Sequence, residues 1–422
     1  VARNLLPSDM IAMNRSMVRA IVMDAGGKTS HTAILARAFE IPAVLGLGGS
    51  ARAIRNGDIV VVDGNTGDVR VQPDPQTLER YERIRARMAE RDETLSGLAS
   101  LPAKTLDGKE VLIKANIEVP EETDSVLRHG AQGIGLFRSE FLFLQPGRAP
   151  SEESQYVAYG RVIEAMGDRP VTIRTLDVGG DKVVPDLAIE EEKNPLLGWR
   201  AIRYCLSDKE LFQSQLRAIL RASVSGDARI MFPMISGPVE LDSALAQLEA
   251  AKAECRRRGQ AFREDIPVGI MIEVPSAAMI ADILAPKVDF FSIGTNDLIQ
   301  YTMAVDRVNK RVSYLYEPLD PSVLRLIDLT VRNANARGIP VSVCGEMAAE
   351  PESAALLVGL GVRKLSMGPV SIPPVKRLLR RVRLADLERL AREILTFPTA
   401  SQARARLSEA IKELLHSAAN EA

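Results

Sequence analysis

Phe290-Phe291-Ser292-Ile293-Gly294-Thr295-Asn296-Asp297 is a short run of strand composition that ends abruptly in a polar turn bearing an amide and a carboxylate. The same pattern recurs along the chain. From about residue 104, apolar runs at Glu110–Ile117, Gly133–Phe137, Val171–Thr175, Arg229–Pro233, Val268–Glu273, Phe290–Ile293, Pro340–Cys344 and Lys364–Met367 read as strands. Helical stretches separate them: Asp208–Ser223, with Ser207 as its expected N-cap, then Pro238–Arg258, Ser276–Leu284 and Pro321–Arg337. Alternation on this scale predicts an α/β protein whose C-terminal part is a (β/α)8 TIM barrel. A doubly wound open sheet is the alternative, because alternation alone does not close a barrel.

Upstream the pattern differs. Ile21-Val22-Met23 reads as a strand, Gly26-Gly27-Lys28-Thr29-Ser30-His31 as a glycine-rich turn, and Thr32–Phe39 as a helix. Ile59–Gly64 reads as a buried strand ending in a turn, with Asp68–Val71 as its hairpin partner. Residues 1–72 therefore form a smaller α/β domain. Pro73 and Pro75 break that pattern, and Gln76–Ser96 shows only a narrow apolar stripe, as expected of a solvent-exposed connecting helix. Residues 73–103 are read as a helical linker and residues 104–422 as the barrel, whose tail, Asp386–His416, is helical.

Composition narrows the function classes. The 422 residues are 46% hydrophobic and 26% charged, values of an ordinary globular protein. A net charge of −1 gives no bulk attraction to nucleic acid, and no apolar run is long enough to cross a membrane. Cys205, Cys255 and Cys344 lack metal-ligand spacing and are too few for a disulfide framework, which points to a reducing cytoplasm. The chain opens on Val1 without a methionine and enters its first strand within about twenty residues, as a fragment or a processed chain would.

The chemistry gathers at strand ends, where a barrel carries its reactive groups. Arg138 and Glu140 follow the second strand, and Arg174-Thr175-Leu176-Asp177-Val178-Gly179-Gly180-Asp181-Lys182 closes the third. Glu273 ends the fifth, Asn296 and Asp297 follow the sixth, and Cys344-Gly345-Glu346 ends the seventh. Arg200 and Arg203 lie in a loop beyond the third strand, and Arg307 follows the sixth. Arginines from separate strand ends need an anion to coexist, and their planar forks suit phosphate and carboxylate. Glu273 and Asp297 are hard oxygen ligands that could hold Mg²⁺, or could instead pair with the nearby arginines. Cys344 reads as an ordinary buried thiol or as a proton donor. His31, between a diglycine turn and a helix start, reads either as a phosphoryl acceptor close to backbone N–H groups or as a residue that helps cap the helix. His129, before Gly130, reads as a helix C-terminal cap; Cys205 and Cys255 read as structural.

Several phrases in this order resemble one family: Gly26-Gly27-Lys28-Thr29-Ser30-His31-Thr32, Gly135-Leu136-Phe137-Arg138-Ser139-Glu140-Phe141-Leu142, Gly198-Trp199-Arg200-Ala201-Ile202-Arg203 and Gly294-Thr295-Asn296-Asp297-Leu298-Ile299-Gln300-Tyr301. The resemblance is to enzyme I of the bacterial phosphoenolpyruvate-dependent phosphotransferase system, the phosphoenolpyruvate–protein phosphotransferases. It implies that residues 1–72 are part of a swivelling phosphohistidine domain and that His31 takes the phosphoryl group of phosphoenolpyruvate at Nε2. Pyruvate is then released and the phosphoryl group relayed to the phosphocarrier HPr, in sugar or nitrogen-related phosphotransfer. It further implies that Arg138, Arg174, Arg200, Asn296 and Arg307 bind the substrate, that Glu273 and Asp297 hold Mg²⁺, and that Cys344 protonates the enolpyruvate carbon. A homodimer built through the barrel domain is implied as well; Thr29 would orient the His31 ring.

Two departures stand out. Val308 occupies a position where the family usually has glycine. The helical HPr-binding subdomain that precedes the histidine in the family has no counterpart here, so a protein beginning at Val1 would keep barrel chemistry and lose transfer to HPr. Other readings are an enzyme of the pyruvate phosphate dikinase or phosphoenolpyruvate synthase type, for which no glycine-rich ATP site is seen, and a non-catalytic phosphoenolpyruvate-binding regulator. A divalent-metal aldolase would leave His31 unexplained.

Overall fold

The computed structural model describes the chain apart from residues 4, 6–8, 11–12, 15–16, 28–30, 144–148, 180–191 and 422, and apart from the side chains of residues 31, 91, 92, 94, 96 and 418–421. The chain divides into two compact units, Val1–Gly97 and Leu98–Ala422.

In the first unit, β1 (Ile21–Val22) pairs in parallel with β2 (Ala43–Val44). Between them a helix spans His31–Ala38, so His31 is its first residue. Buried Met10, Met23, Leu35 and Ala36 form the apolar interior beside this pair. Asp24, just after β1, ties the following loop by accepting from Gly49 N at 2.8 Å and Ala51 N at 2.9 Å. β3 (Val60–Asp63) and β4 (Asp68–Val71) make the antiparallel hairpin expected from the sequence. β3 is half-buried rather than buried, and Ile59 is exposed, as a two-stranded ribbon leaves much of its surface uncovered. The long helix Pro75–Ser96 starts on an Asp74 N-cap that accepts from Thr77 N at 2.7 Å. Pro75 therefore begins this helix at a position where its missing N–H costs nothing.

The second unit is a barrel. β5 (Leu112–Ile117), β6 (Ile134–Arg138), β7 (Val171–Arg174), β8 (Ala228–Phe232), β9 (Val268–Ile272), β10 (Phe290–Ile293), β11 (Val341–Val343) and β12 (Lys364–Met367) pair in parallel in chain order. β12 returns to β5, with Leu365 opposite Ile113, and this closure excludes the open doubly wound sheet. Parallel strands covered on both faces are mostly apolar, as in the fully buried Val268-Gly269-Ile270-Met271-Ile272. One set of alternating residues, including Ile113, Ile173, Ile230, Ile270 and Ile293, joins the large core under the surrounding helices. The other set fills the lumen, where Leu136, Met231, Met271, Phe290 and Cys344 form a separate cluster.

Glycine makes that lumen packing possible. A Cβ on Gly269 would meet the Phe290 ring at 2.4 Å, and one on Gly135 would meet Ser366 Oγ at 2.4 Å.

Several helices of this unit begin on side-chain caps. Asp208, not Ser207, caps Lys209–Ala222 and accepts from Leu211 N at 3.1 Å. Both residue types are good caps, and the chain turns one residue later than expected. The stretch expected as one helix over Ser276–Leu284 is two, Pro275–Met279 and Ala281–Leu284, broken at Ile280 with φ −113° and ψ 26°. The tail forms the helices Leu384–Ile394 and Ala400–Glu421.

Candidate active site at the barrel mouth

At the C-terminal ends of the barrel strands, Glu140, Arg174, Asp177, Arg200, Tyr301 and Asp297 form one connected network. Arg138, the last residue of β6, donates to Glu118 Oε1 at 2.6 Å and remains about a third exposed. Arg174 ends β7 and is buried; its Nη2 pairs with Glu140 and lies 3.2 Å from Asp177 Oδ2. Asp177 in turn holds Arg200. Arg200 also donates to Tyr301 OH at 3.0 Å and lies 3.5 Å from Asp297 Oδ2.

The arginines were expected to need an external anion. Instead Glu118, Glu140 and Asp177 balance them from within the protein, a correction with a plain cause. Removing a guanidinium from water without a counter-charge is too costly. Burial alone would weaken the protonated form of Arg174, but Glu140, Asp177 and Glu273 hold it firmly charged. For Arg200, burial is likewise outweighed by Asp177 and Asp297.

Glu273 follows β9 and is 1% exposed. Its Oε1 accepts from Met234 N at 2.7 Å. Burial, then the charges of Asp297 and Asp177, push its carboxyl far above the usual carboxylate range, against the pull of Arg174 and Arg200. Gly294 makes room for it, since a Cβ there would meet Glu273 Oε2 at 2.8 Å. Asp297 sits in the first turn of the helix Thr295–Met303, and its buried Oδ1 has no partner among the described residues. Arg174 Nε and Thr295 Oγ1 are also buried without a partner. Buried polar atoms without a protein partner are rare, and water, an ion or a ligand usually completes them. A divalent cation fits this donor set: Asp297 has an unsatisfied oxygen, and a cation would offset the burial and neighbouring carboxylates that disfavour the ionised form of Glu273. Among the described residues no three His, Cys, Asp or Glu side chains gather into a metal cluster. A metal held here would therefore take its remaining ligands from water or substrate.

Asn296 and Arg307 lie on the same rim. Asn296 Oδ1 accepts from Glu346 N at 2.9 Å, and its backbone carbonyl accepts from Tyr316 OH at 3.3 Å. The Arg307 guanidinium lies against the Tyr316 hydroxyl; burial pushes that phenol up to about 12 while Arg307 opposes the shift. Val308 is exposed beyond it. Cys344 lies below the rim, in the lumen cluster, 3% exposed, with Sγ 3.6 Å from Ile293 O. Burial pushes its thiol up, Ser292 pulls the other way, and the charges of Glu273, Arg174 and Arg138 reach it.

Other expected residues lie elsewhere. Arg203 belongs to the helix Ile202–Ser207, where it donates to the carbonyls of Leu197 and Gly198 at 3.2 Å and faces Glu240. His129 is the C-cap of Thr123–Arg128, its Nδ1 2.9 Å from Ser125 O. Cys205 and Cys255 are buried. Gly180, Asp181 and Lys182 lie outside the described residues, as do Thr29 and the side chain of His31.

Comparison with known proteins now bears on this site. Residues 92–384 match the model of the PEP-binding domain of PEP-utilising enzymes, and residues 1–67 match that of their mobile domain. A phosphoenolpyruvate-protein phosphotransferase of Geobacillus stearothermophilus is 46% identical over 402 residues, which cover 95% of this chain and 70% of that protein. The chain belongs to the phosphoenolpyruvate-protein phosphotransferase family. Members from Bacillus subtilis and Haemophilus influenzae are 45% and 43% identical over 413 and 415 residues, each covering 98% of this chain and 72% of the relative. The sequence names Glu140, Asp177 and Tyr301 without identifying them as partners of the arginines, and Glu118 is a partner that it does not single out. Glu140 and Asp177 stand two and three residues after an arginine at a strand end, which was a readable cue.

Proposed function

We propose that this chain carries out the phosphoenolpyruvate–protein phosphotransfer of its relatives, moving the phosphoryl group of phosphoenolpyruvate to His31 Nε2 and releasing pyruvate. The observation that carries the reading is the mouth of the barrel. There a partly open arginine, a buried arginine with an unpartnered Nε, and an acidic pair with an unpartnered oxygen come from the ends of β6, β7, β9 and β10.

In this reading Arg138, Arg174 and Arg307, with Asn296, take the phosphate and carboxylate oxygens. Arg200, whose fork is occupied by Asp177 and Tyr301, contributes charge from beneath and fixes its neighbours. Glu273 and Asp297 would hold Mg²⁺, which when bound neutralises phosphate charge. The neutral imidazole of His31 attacks phosphorus. The N–P bond forms as the bridging P–O bond breaks, and that electron pair goes to the enolate oxygen. The enolate becomes a ketone when its methylene carbon takes a proton from the Cys344 thiol, which burial keeps protonated. His31 and the mouth belong to different units of the chain, so a swivel that brings them together is part of the proposal. Onward transfer to HPr, dimerisation through the barrel and a cytoplasmic setting are expectations carried over from the family.

Labelled phosphoenolpyruvate tests the reading. The parent chain should become labelled in its first unit while His31→Ala stays unlabelled and still binds phosphoenolpyruvate. Equal labelling of both would refute it, and labelling that requires a nucleotide would favour a dikinase-type reaction.

A further inference from the structure

At the opposite end of the barrel, where the strands begin, a second set of cations meets. Lys114 on β5, Arg229 on β8 and Lys364 on β12 line one cavity of ≈ 20 Å³, together with Thr172, Ser342 and Phe290. Strand register places these groups at matching heights: Thr172 lies opposite Arg229, and Ser342 opposite Lys364. The Phe290 ring belongs to the apolar lumen cluster that also contains Cys344, so that cluster lies between this cavity and the mouth. Gly135 forms part of the wall; a Cβ there would come within 3.3 Å of Lys114 Cβ.

The charges here are not balanced. Among the described residues Asp227 is the carboxylate whose charge reaches Lys114, and it is engaged by Arg229 at 3.2 and 2.7 Å. Neither lysine ammonium has a hydrogen-bond or ion-pair partner among the described residues, although Lys114 is only 7% exposed. Burial, then the charges of Arg229 and Lys364, pull the Lys114 ammonium down to about 8. Burial and Arg229 also lower Lys364. A fold gains nothing by gathering three cations around a cavity with one carboxylate, since their repulsion and desolvation both oppose folding.

We infer that this cavity binds a small inorganic oxyanion carrying two charges, of the phosphate or sulfate class. Three cations less one carboxylate leave two positive charges, which such an ion matches. The lysines and the free edge of the Arg229 guanidinium supply charge-assisted donors, and the Thr172 hydroxyl flanks them, while the Ser342 hydroxyl donates to Phe291 O at 3.2 Å. Size restricts the ligand. Room for one or two water centres, at about 10–15 Å³ each, suits a compact ion. The inference is independent of the proposed phosphotransfer, because it concerns the other end of the barrel and is read by anion occupancy.

Selenate, a tetrahedral dianion located by its anomalous scattering, is the probe. Crystals of the full chain soaked in selenate should show it within hydrogen-bond distance of Lys114 Nζ and Lys364 Nζ. In crystals of Lys364→Gln, a partly exposed position whose fold the crystal itself verifies, occupancy at sub-saturating selenate should fall at least about tenfold, as expected from losing one charge-assisted hydrogen bond. A cavity that stays empty while selenate fills the mouth overturns the inference, and so does occupancy unchanged in Lys364→Gln.

Discussion

Asp177 grips Arg200 along one edge of its guanidinium: Oδ1 accepts from Nε at 3.3 Å and Nη2 at 3.0 Å, and Oδ2 accepts from Nη2 at 3.2 Å. The two side chains are 0% and 1% exposed. Asp177 Oδ2 also faces Arg174, so one carboxylate spaces two arginines that would otherwise repel each other. Asp177→Asn keeps the shape and removes the charge, leaving two buried cations under-compensated. Breaking a buried pair in this way costs about 3–5 kcal/mol. Denaturant unfolding of the barrel should register that loss, with phosphoenolpyruvate binding weakened as Arg174 shifts. Parent-like stability in Asp177→Asn would show that Glu140 and Asp297 suffice to hold both arginines.

Cys344 sits where its proton is retained. Burial raises the thiol above its ordinary value, so the protonated form persists to higher pH than in a free cysteine, and the group is fit to donate rather than to attack. Cys344→Ala should slow pyruvate formation on the order of 10²–10⁴-fold, the usual share of a positioned acid, with little change in phosphoenolpyruvate affinity. The alkaline limb of the parent's rate profile should lie above the ordinary thiol pKa of about 8.5. An alkaline limb unchanged in Cys344→Ala would assign the proton to another group.

The placement of these groups was largely written in the chain, because polar residues directly after apolar runs have few places to go in a parallel barrel. Arg138, Arg174, Glu273, Asp297 and Cys344 all follow that rule. Barrel closure was not legible, since it depends on the pairing of Lys364–Met367 with Leu112–Ile117, two segments far apart in sequence. Nor were the pairings of Arg138 with Glu118 and Arg200 with Asp177: the residues were visible, but which acid serves which base depends on strand neighbours and loop paths. The choice of Asp208 over Ser207 as a cap turned on a single residue of register. The basic cavity escaped for a similar reason, because Lys114, Arg229 and Lys364 look like ordinary charges near strand starts until the barrel closes around them.

Removing divalent metal separates the two duties of the acidic pair. Chelation should halt labelling of His31 by phosphoenolpyruvate, and Mg²⁺ should restore it. Mg²⁺ should also raise the thermal midpoint of the parent by mass action, and that shift should vanish in Glu273→Gln and in Asp297→Asn. A persisting Mg²⁺ shift in both variants would place the metal elsewhere.

Glu122 ties the rim to acid–base behaviour outside the mouth. It follows β5 and accepts from Glu118 N at 2.5 Å and Val119 N at 3.0 Å, fixing the turn that carries Glu118 to Arg138. Burial raises its carboxyl from 4.5 to about 7, against the pull of those two N–H groups. A raised carboxyl binds a proton more tightly in the folded than in the unfolded chain between these values. Stability from this group is therefore fully present below about pH 4.5 and is lost as pH climbs through about 7, a difference on the order of 3 kcal/mol. Glu122→Gln keeps an acceptor and removes the titration. Its thermal midpoint should vary less between pH 5 and 7.5 than the parent's, with the variant gaining on the parent toward the alkaline side. Parallel pH profiles for the two proteins would show that Glu122 is ionised at little cost, its charge already satisfied by the two backbone donors.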